Sequence, residues 1–190
     1  MSNQLYPVFL KMDKLQLLVV GGGNVAAEKL GFLHKSSPDA NVTVISPELN
    51  EETQRLADLF NAKILKREFE QGDTQTFDIV IAATDSKDLN YHVWEEAKFN
   101  RILINVADTP ELCDFYLGGI VTKGDLKIAI STNGKSPTMA KRIREFLEDV
   151  LPDETDTLLQ NIHVYRSQLK ADFAEKVKTL NELTSSFIKK

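Results

Sequence analysis

The sequence predicts an α/β fold: a parallel sheet covered by helices, then a short hairpin and a helical tail. Short runs rich in Val, Ile and Leu alternate with helix-like segments over roughly the first hundred residues. Three consecutive glycines separate the first apolar run from the first of these helices. The segment 153–190 contains neither glycine nor proline, which favours helix. At 190 residues, the chain fits one medium domain or one domain with a small appendage.

Composition excludes several function classes. The net charge is −5, which disfavours a nucleic-acid partner, and no apolar stretch approaches the ~20 residues that a membrane span needs. The N-terminus lacks the basic start and apolar centre of a signal peptide, so we expect a cytoplasmic protein without a membrane partner. One cysteine and three scattered histidines predict no metal site.

The first half of the chain follows a strand–helix rhythm that is typical of βαβ units. The apolar runs are short and nearly continuous, as expected for strands buried on both faces of a parallel sheet. Predicted strands cover 15–20, 41–46, 62–67, 77–84 and 101–106, and predicted helices cover 24–35, 49–60 and 87–100.

The pattern changes after Asp108. The run "FYLGGIVTKGDLKIAIST" predicts two strands joined by a tight turn at Gly124, outside the parallel sheet. Ser136 and Pro137 are typical of a helix start, and Pro152 ends that helix. Apolar residues then recur every three or four positions from Leu158 to Phe187, which predicts a helical tail with one apolar face.

The glycine cluster predicts a nucleotide site. Gly21, Gly23 and Ala26 match the pattern G-x-G-x-x-G/A, with Gly22 between them, after a strand and at the start of a helix. Such glycines allow a tight turn and close approach of a pyrophosphate to free N–H groups at the helix start. A tight strand-to-helix turn without a ligand is the alternative. The context favours a Rossmann-like dinucleotide site.

The end of the second strand bears on the choice of cofactor. The acidic residue that usually binds the adenosine ribose there is missing, and Ser46 and Pro47 are followed by Glu48. Ser46 or Glu48 can reach a ribose hydroxyl. No Lys or Arg lies within 42–52 to neutralise the additional phosphate of NADP, so we expect NAD.

Polar residues follow the fourth and fifth predicted strands, where ligands of open parallel sheets bind. Thr84 and Asp85 follow one strand, and Asn105 and Asp108 belong to the end of the next. We expect Thr84, Asp85 and Asn105 to contact the cofactor. Asp108 is a candidate general base for a proton lost together with a hydride. The alternatives are a solvated loop carboxylate or a helix cap for Asp108, and a helix cap for Asp85.

A cationic helix start is a candidate receptor for carboxylates or phosphates. The stretch 135–144 holds four basic side chains and no acidic one. A solvated cationic helix face is the alternative. The candidate substrate-binding residues are Asn133, Gly134, Lys135, Ser136 and Lys141.

The ordered motifs resemble those of the precorrin-2 dehydrogenase family, the NAD-dependent enzymes of sirohaem biosynthesis. The resemblance covers roughly residues 5–150 and is weaker in the tail. It is carried by "YPVFLKM", "VVGGGNVAAEKL", "VTVISPE", "VIAATDSKDLN", "INVADTPELCDFYLGGIV" and "IAISTNGKSPTMAKRIRE".

The resemblance implies an oxidoreductase that converts precorrin-2, a reduced tetrapyrrole with eight carboxylates, to sirohydrochlorin with NAD as cofactor. It implies that Asp108 is the catalytic carboxylate and that Asn24, Val25, Pro47 and Glu48 contact NAD, with the glycines and the loop at Thr84. It also implies a homodimer that exchanges strands, with the tetrapyrrole between the cofactor domain and the tail. The expected domains are 1–113 for NAD binding, 114–150 for dimerisation and 151–190 for the helical tail.

Two other functions stay open at this point. Some members of the family are bifunctional and also act as a ferrochelatase that inserts ferrous iron. A second possibility is a non-catalytic NAD(H)-sensing regulatory domain, which would share the glycine motif and dimerise. Such a sensor would need neither a carboxylate at position 108 nor a polyanion site.

Overall fold

A computed structural model describes residues 3–169 and 172–185 and contains the predicted parallel sheet. Its five strands are arranged in the order β3-β2-β1-β4-β5, and every neighbouring pair is parallel. All five therefore end at the same edge of the sheet. The strands are β1 (Gln16–Val20), β2 (Asn41–Ile45), β3 (Lys63–Leu65), β4 (Ile79–Ala82) and β5 (Leu103–Val106).

Helices cover both faces of this sheet, because alternate residues of each buried strand point to opposite sides. Leu17 and Val19 of β1 pack in one cluster with the helices α1 (Asn24–Ser36) and α2 (Glu51–Leu59). Leu18 and Val20 pack in a second cluster with α3 (Lys87–Phe99). Burial on both faces explains why the strands read as continuous apolar runs.

A two-stranded antiparallel sheet follows the parallel one. Its strands are β6 (Gly119–Lys123) and β7 (Leu126–Ile130), and Gly124 in the turn has a φ of +56°. The predicted hairpin is confirmed. Left-handed φ values cost a glycine little, which is why the turn lies there.

Three helices complete the described chain: α4 (Pro137–Val150), α5 (Thr155–Gln168) and α6 (Phe173–Thr184). Helix α4 begins at the predicted proline and ends before Pro152. The predicted helical tail is therefore two helices over the described range, and Phe187 of the predicted apolar stripe lies outside the described residues.

The chain divides into two compact units. The first comprises 1–118 and 131–137, and the second comprises 119–130 and the residues from 138 onward. The expected boundaries after 113 and 150 stay predictions. Within the described ranges, no helix is both long enough and apolar enough to cross a membrane.

Candidate nucleotide-binding site

A cavity of about 940 Å³ lies in the first unit, where β1, β2 and β4 end. Its wall includes the three glycines and the start of α1. The start of α1 contributes Asn24 and Val25. The other lining residues come from the ends of β1 and β2, from the loops after β2, β3 and β4 and from the first turn of α3: Val20, Ile45, Ser46, Pro47, Glu48, Leu49, Asn50, Glu68, Phe69, Ala83, Thr84, Asp85 and Leu89.

The three glycines of the cavity have different local constraints. Gly21 has a φ of +123°, and a Cβ there would collide with the carbonyl oxygen of Ala83. A Cβ on Gly22 would collide with the carbonyl oxygen of Glu48. A Cβ on Gly23 would meet nothing within 4 Å, because this glycine faces open space. The first two glycines allow close packing of the chain, and the third leaves room for a ligand.

Backbone and side-chain hydrogen bonds hold the glycine turn in place. The Gly21 N–H donates to the carbonyl oxygen of Ile45 at 2.9 Å, and the carbonyl oxygen of Gly22 accepts from the Asn50 N–H at 2.9 Å. The Thr53 hydroxyl, fully buried, donates to the carbonyl oxygen of Gly23 at 3.1 Å. Sequence reasoning missed Asn50 and Thr53, whose contacts with the turn are long-range.

The start of α1 can receive an anion. The first N–H groups of an α-helix have no intrahelical partner, and here the N-cap residue is Gly23, so no capping side chain accepts from them. The helices α2 and α3, by contrast, are capped by the side chains of Asn50 and Ser86. Free N–H groups and the helix dipole at Asn24 and Val25 suit a pyrophosphate in the adjacent cavity.

Two glutamates, Glu48 and Glu68, line the end of the cavity beside β2 and β3. The Ser46 hydroxyl donates to the carbonyl oxygen of Glu48 at 2.7 Å, so it is engaged within this loop. Glu48 and Glu68 both line the cavity, with the aromatic ring of Phe69 nearby on the chain. Sequence reasoning missed Glu68 and Phe69, although their place after the third predicted strand was a usable signal.

At the other side of the cavity, Thr84 and Asp85 follow β4 as predicted. The buried Asn90 holds this loop: its amide oxygen accepts from the Thr84 hydroxyl at 2.7 Å, and its amide nitrogen donates to the Thr84 carbonyl oxygen at 3.0 Å. Ser86 caps α3 through a bond from the Leu89 N–H. Asp85 does not occupy the cap position, and it lines the cavity.

Asn105 and Asp108 belong to the same sheet edge but do not line the cavity. Asn105 is 7% exposed, and its amide donates to the carbonyl oxygen of Phe115 at 2.8 Å. Asp108 is exposed and adopts a left-handed backbone conformation, with φ +56°. Nearby, burial raises the pKa of the Cys113 thiol, which keeps this sulfur protonated near neutral pH.

The cationic segment divides between the two units. Asn133 and Gly134, with φ values of +55° and +73°, form a turn that precedes Lys135 and Ser136 in the first unit. Lys141 lies in the second unit, on α4, and pairs with Glu145 at 3.9 Å.

The other cations of α4 are paired in the same way. Arg142 pairs with Glu145 at 2.9 Å, and Arg144 pairs with Glu148 at 2.6 Å. In the described part of the chain, Lys135 is the only cation of this segment without an ion pair.

Comparisons with known proteins agree with this architecture. Residues 8–119 match the family described as "Putative NAD(P)-binding", and residues 123–149 match the family "Sirohaem biosynthesis protein central". The solved structure of SirC, a precorrin-2 dehydrogenase, superposes with a TM-score of 0.72, covering 94% of this chain and 89% of that one. Its sequence identity is 24%, so this similarity concerns the fold.

Curated relatives share more of the sequence. The siroheme synthase of Nitrosococcus oceani is 38% identical over 88% of this chain and 35% of its own length. That of Thioalkalivibrio sulfidiphilus is 39% identical over 87% of this chain and 34% of its own length. The chain thus spans about a third of the length of these relatives. Because the first family model covers more than half of its residues, the chain belongs to the NAD(P)-binding family.

Proposed function

We propose that the protein catalyses the NAD-dependent dehydrogenation of precorrin-2 to sirohydrochlorin in sirohaem biosynthesis. The observation that carries this proposal is the glycine-lined cavity at the uncapped start of α1, in a chain whose relatives are siroheme synthases. The similarity in fold to a precorrin-2 dehydrogenase supports the same reaction. With a single free cysteine and this metabolic role, we place the protein in the cytoplasm.

The strand order supports one orientation of NAD in the cavity. The pyrophosphate lies against Gly21–Gly23 and the first N–H groups of α1. In this type of sheet the adenosine ribose lies at the end of β2, near Glu48 and Glu68, so the nicotinamide extends toward β4 and β5. The 2′-phosphate of NADP would meet these two carboxylates, which favours NAD.

Dehydrogenation removes a hydride and a proton from the substrate, and bound NAD supplies the hydride acceptor. We assign the proton to the carboxylate of Asp108, which lies on the loop after β5 and thus on the nicotinamide side of the sheet edge. Its exposed position leaves it accessible to a large substrate.

We propose that carboxylates of the tetrapyrrole bind at the turn 133–136. Lys135 offers an unpaired ammonium there, next to Asn133, Gly134 and Ser136 of the same turn. On the second unit, Lys141 can bind a substrate carboxylate in exchange for its present partner, Glu145. That exchange costs little free energy, because Lys141 and Glu145 form a solvated ion pair at a separation of 3.9 Å.

We also propose a homodimer formed through the second unit. One face of α4 carries Met139, Ile143, Phe146 and Val150 at helical spacing, and their exposed fractions range from 38% to 63%. An apolar stripe of this kind is typical of a protein interface.

The test is anaerobic incubation of precorrin-2 with NAD, followed by the absorption change to sirohydrochlorin. Asp108→Ala should retain NAD binding and lower kcat by about 10²–10⁴-fold, the usual contribution of a general base. The matched control is Glu111→Ala, which removes another exposed carboxylate of the same loop and should keep activity.

Full activity of Asp108→Ala would remove Asp108 from the mechanism. No turnover by the unmodified protein, with NADH-dependent assembly instead, would point to the regulatory alternative. A separate arm with ferrous iron detects ferrochelatase activity as a second spectral change.

A further inference from the structure

The loop that carries Asp108 is closed at its neck by hydrogen bonds. The Asp114 N–H donates to the carbonyl oxygen of Ile104 at 2.8 Å, and the Ile104 N–H donates to the Asp114 carboxylate at 3.1 Å. One residue further, the Asn105 amide donates to the carbonyl oxygen of Phe115 at 2.8 Å. The segment 106–113 therefore leaves and rejoins the end of β5 at nearly the same place.

The Cys113 sulfur fills the inside of this neck. It accepts from the Val106 N–H at 3.3 Å and lies 3.4 Å from the Asn105 amide nitrogen. Its S–H can donate to the carbonyl oxygen of Val106 or of Thr109, at 3.3 and 3.4 Å. Both hydrogens of the Asn105 amide thus point to the returning segment of the chain, one to Phe115 and one to Cys113.

Asp108 lies at the apex of this loop. Asp108 has a φ of +56°, a conformation that costs a residue other than glycine of the order of 1 kcal/mol and persists only where the surroundings impose it. The next residue donates its N–H to the carbonyl oxygen of Val106 at 3.3 Å. The backbone that carries Asp108 is thus held by the Thr109–Val106 bond at the apex and by the hydrogen bonds at the neck.

We propose that Asn105 is a positioning residue, which acts through the loop on Asp108 and does not contact NAD. This proposal rests on the proposed function in one respect, namely that Asp108 accepts a proton in the reaction. The physical reason for this role is that Asn105 is buried and lies outside the cavity lining, and that both hydrogens of its amide bind Cys113 and Phe115 at the neck of the loop. A displacement of a catalytic group by about 1 Å can lower a rate by about 10²-fold.

Asn105→Ala tests the proposal in the full-length protein by three measurements. We expect the Kd for NADH, measured by fluorescence titration, to stay within about twofold. We expect the amides of Val106 and Asp114 to exchange hydrogen at least about tenfold faster, because the neck opens. We expect kcat for precorrin-2 to fall at least about tenfold while KM changes little, as for a loss specific to the transition state.

A matched control is Asn90→Ala. Asn90 is as buried as Asn105, but it holds Thr84 in the cavity wall. This variant should raise the Kd for NADH and leave the exchange of the 106–113 amides unchanged. If Asn105→Ala folds poorly, Cys113→Ala replaces it, because it opens the same neck without removing a buried amide. We expect Cys113→Ala to give the same pattern in the three measurements.

The outcomes separate the two proposals. A rise of about tenfold or more in the Kd for NADH with unchanged loop exchange would make Asn105 a cofactor contact and overturn the positioning role. Unchanged kcat despite an opened neck would overturn it as well. If the unmodified protein does not oxidise precorrin-2, the proposed function fails, and NADH affinity and loop exchange still decide whether Asn105 serves the cofactor or the loop.

Discussion

At the residue scale, the site depends on which glycines leave space for a ligand and on which groups the buried polar side chains hydrogen-bond. Gly21 and Gly22 are needed because another part of the chain lies against them, whereas Gly23 is needed only if a ligand does. Likewise Asn90 and Asn105 are similarly buried, but one supports the cavity wall and the other the Asp108 loop. Residue type alone does not distinguish these roles.

Gly23→Ala tests the ligand side of the glycine turn. Gly23 has φ −90° and ψ −166°, which alanine can adopt, and its Cβ would meet no protein atom. We therefore expect an unchanged free energy of unfolding and a Kd for NAD raised at least about tenfold, since the methyl group takes the space of the pyrophosphate. Isothermal titration and urea unfolding measure the two quantities.

The control for this variant is Gly31→Ala in the same helix. Its Cβ would make an ordinary contact of 3.9 Å with Leu56, away from the cavity, so NAD affinity should be unchanged. Equal NAD affinity of Gly23→Ala and the unmodified protein would mean that the pyrophosphate does not lie at this glycine.

At the element scale, the loop between β3 and β4 is held from both sides. The Arg67 guanidinium binds the Asp73 carboxylate through two hydrogen bonds of 2.6 Å. From α3, the Glu96 carboxylate accepts from the N–H groups of Gly72 and Thr74, each at 2.9 Å. This loop carries Glu68 and Phe69 of the cavity wall, so its rigidity contributes to the adenosine end of the site.

Asp73→Asn should lower the free energy of unfolding by about 1–3 kcal/mol at neutral pH, the usual range for hydrogen bonds to charged groups. The hydrogen bonds from Arg67 hold the pKa of Asp73 below its ordinary value. The carboxylate therefore stabilises the fold above that ordinary value of about 4, and the stabilisation is lost as pH falls through the lowered pKa. Urea unfolding between neutral pH and about pH 3 should show the two proteins converging in acid.

The matched control is Glu70→Gln, whose carboxylate is exposed and 4.0 Å from Arg67. We expect a change of about 0.5 kcal/mol or less at any pH. A difference between Asp73→Asn and the unmodified protein that does not depend on pH would show that the charge of Asp73 is not what stabilises the loop.

At the scale of the whole molecule, the two units have different surfaces. The first unit encloses the sheet between two buried apolar clusters and holds the cavity. Among its described residues, the second has few fully buried side chains, and α4 exposes Ile143 and Phe146 on one face. A unit of this kind gains stability by burying that face against a partner, which supports a homodimer.

Phe146→Glu tests this assembly. We expect light scattering after size-exclusion chromatography to give the mass of two chains for the unmodified protein and of one chain for the variant, because a buried charge without a partner is costly. Phe99→Glu, at a phenylalanine of the first unit that is 87% exposed, should leave the mass unchanged. A dimer that persists in Phe146→Glu would place the interface elsewhere.

The sequence by itself determined the parallel sheet, the hairpin, the starts of α1, α3 and α4 and the glycine turn, because periodicity, capping and turn residues act over a few positions. The ion pairs of Arg142 with Glu145 and of Arg144 with Glu148 could also be predicted from their helical spacing. The two glutamates lie just after the cationic stretch 135–144, which by itself suggested a polyanion site. Only the tertiary structure decided that Glu68 and Phe69 reach the cavity while the Asn105 amide turns to the Asp108 loop. Those outcomes depend on strand order and loop closure, which join residues far apart in the chain.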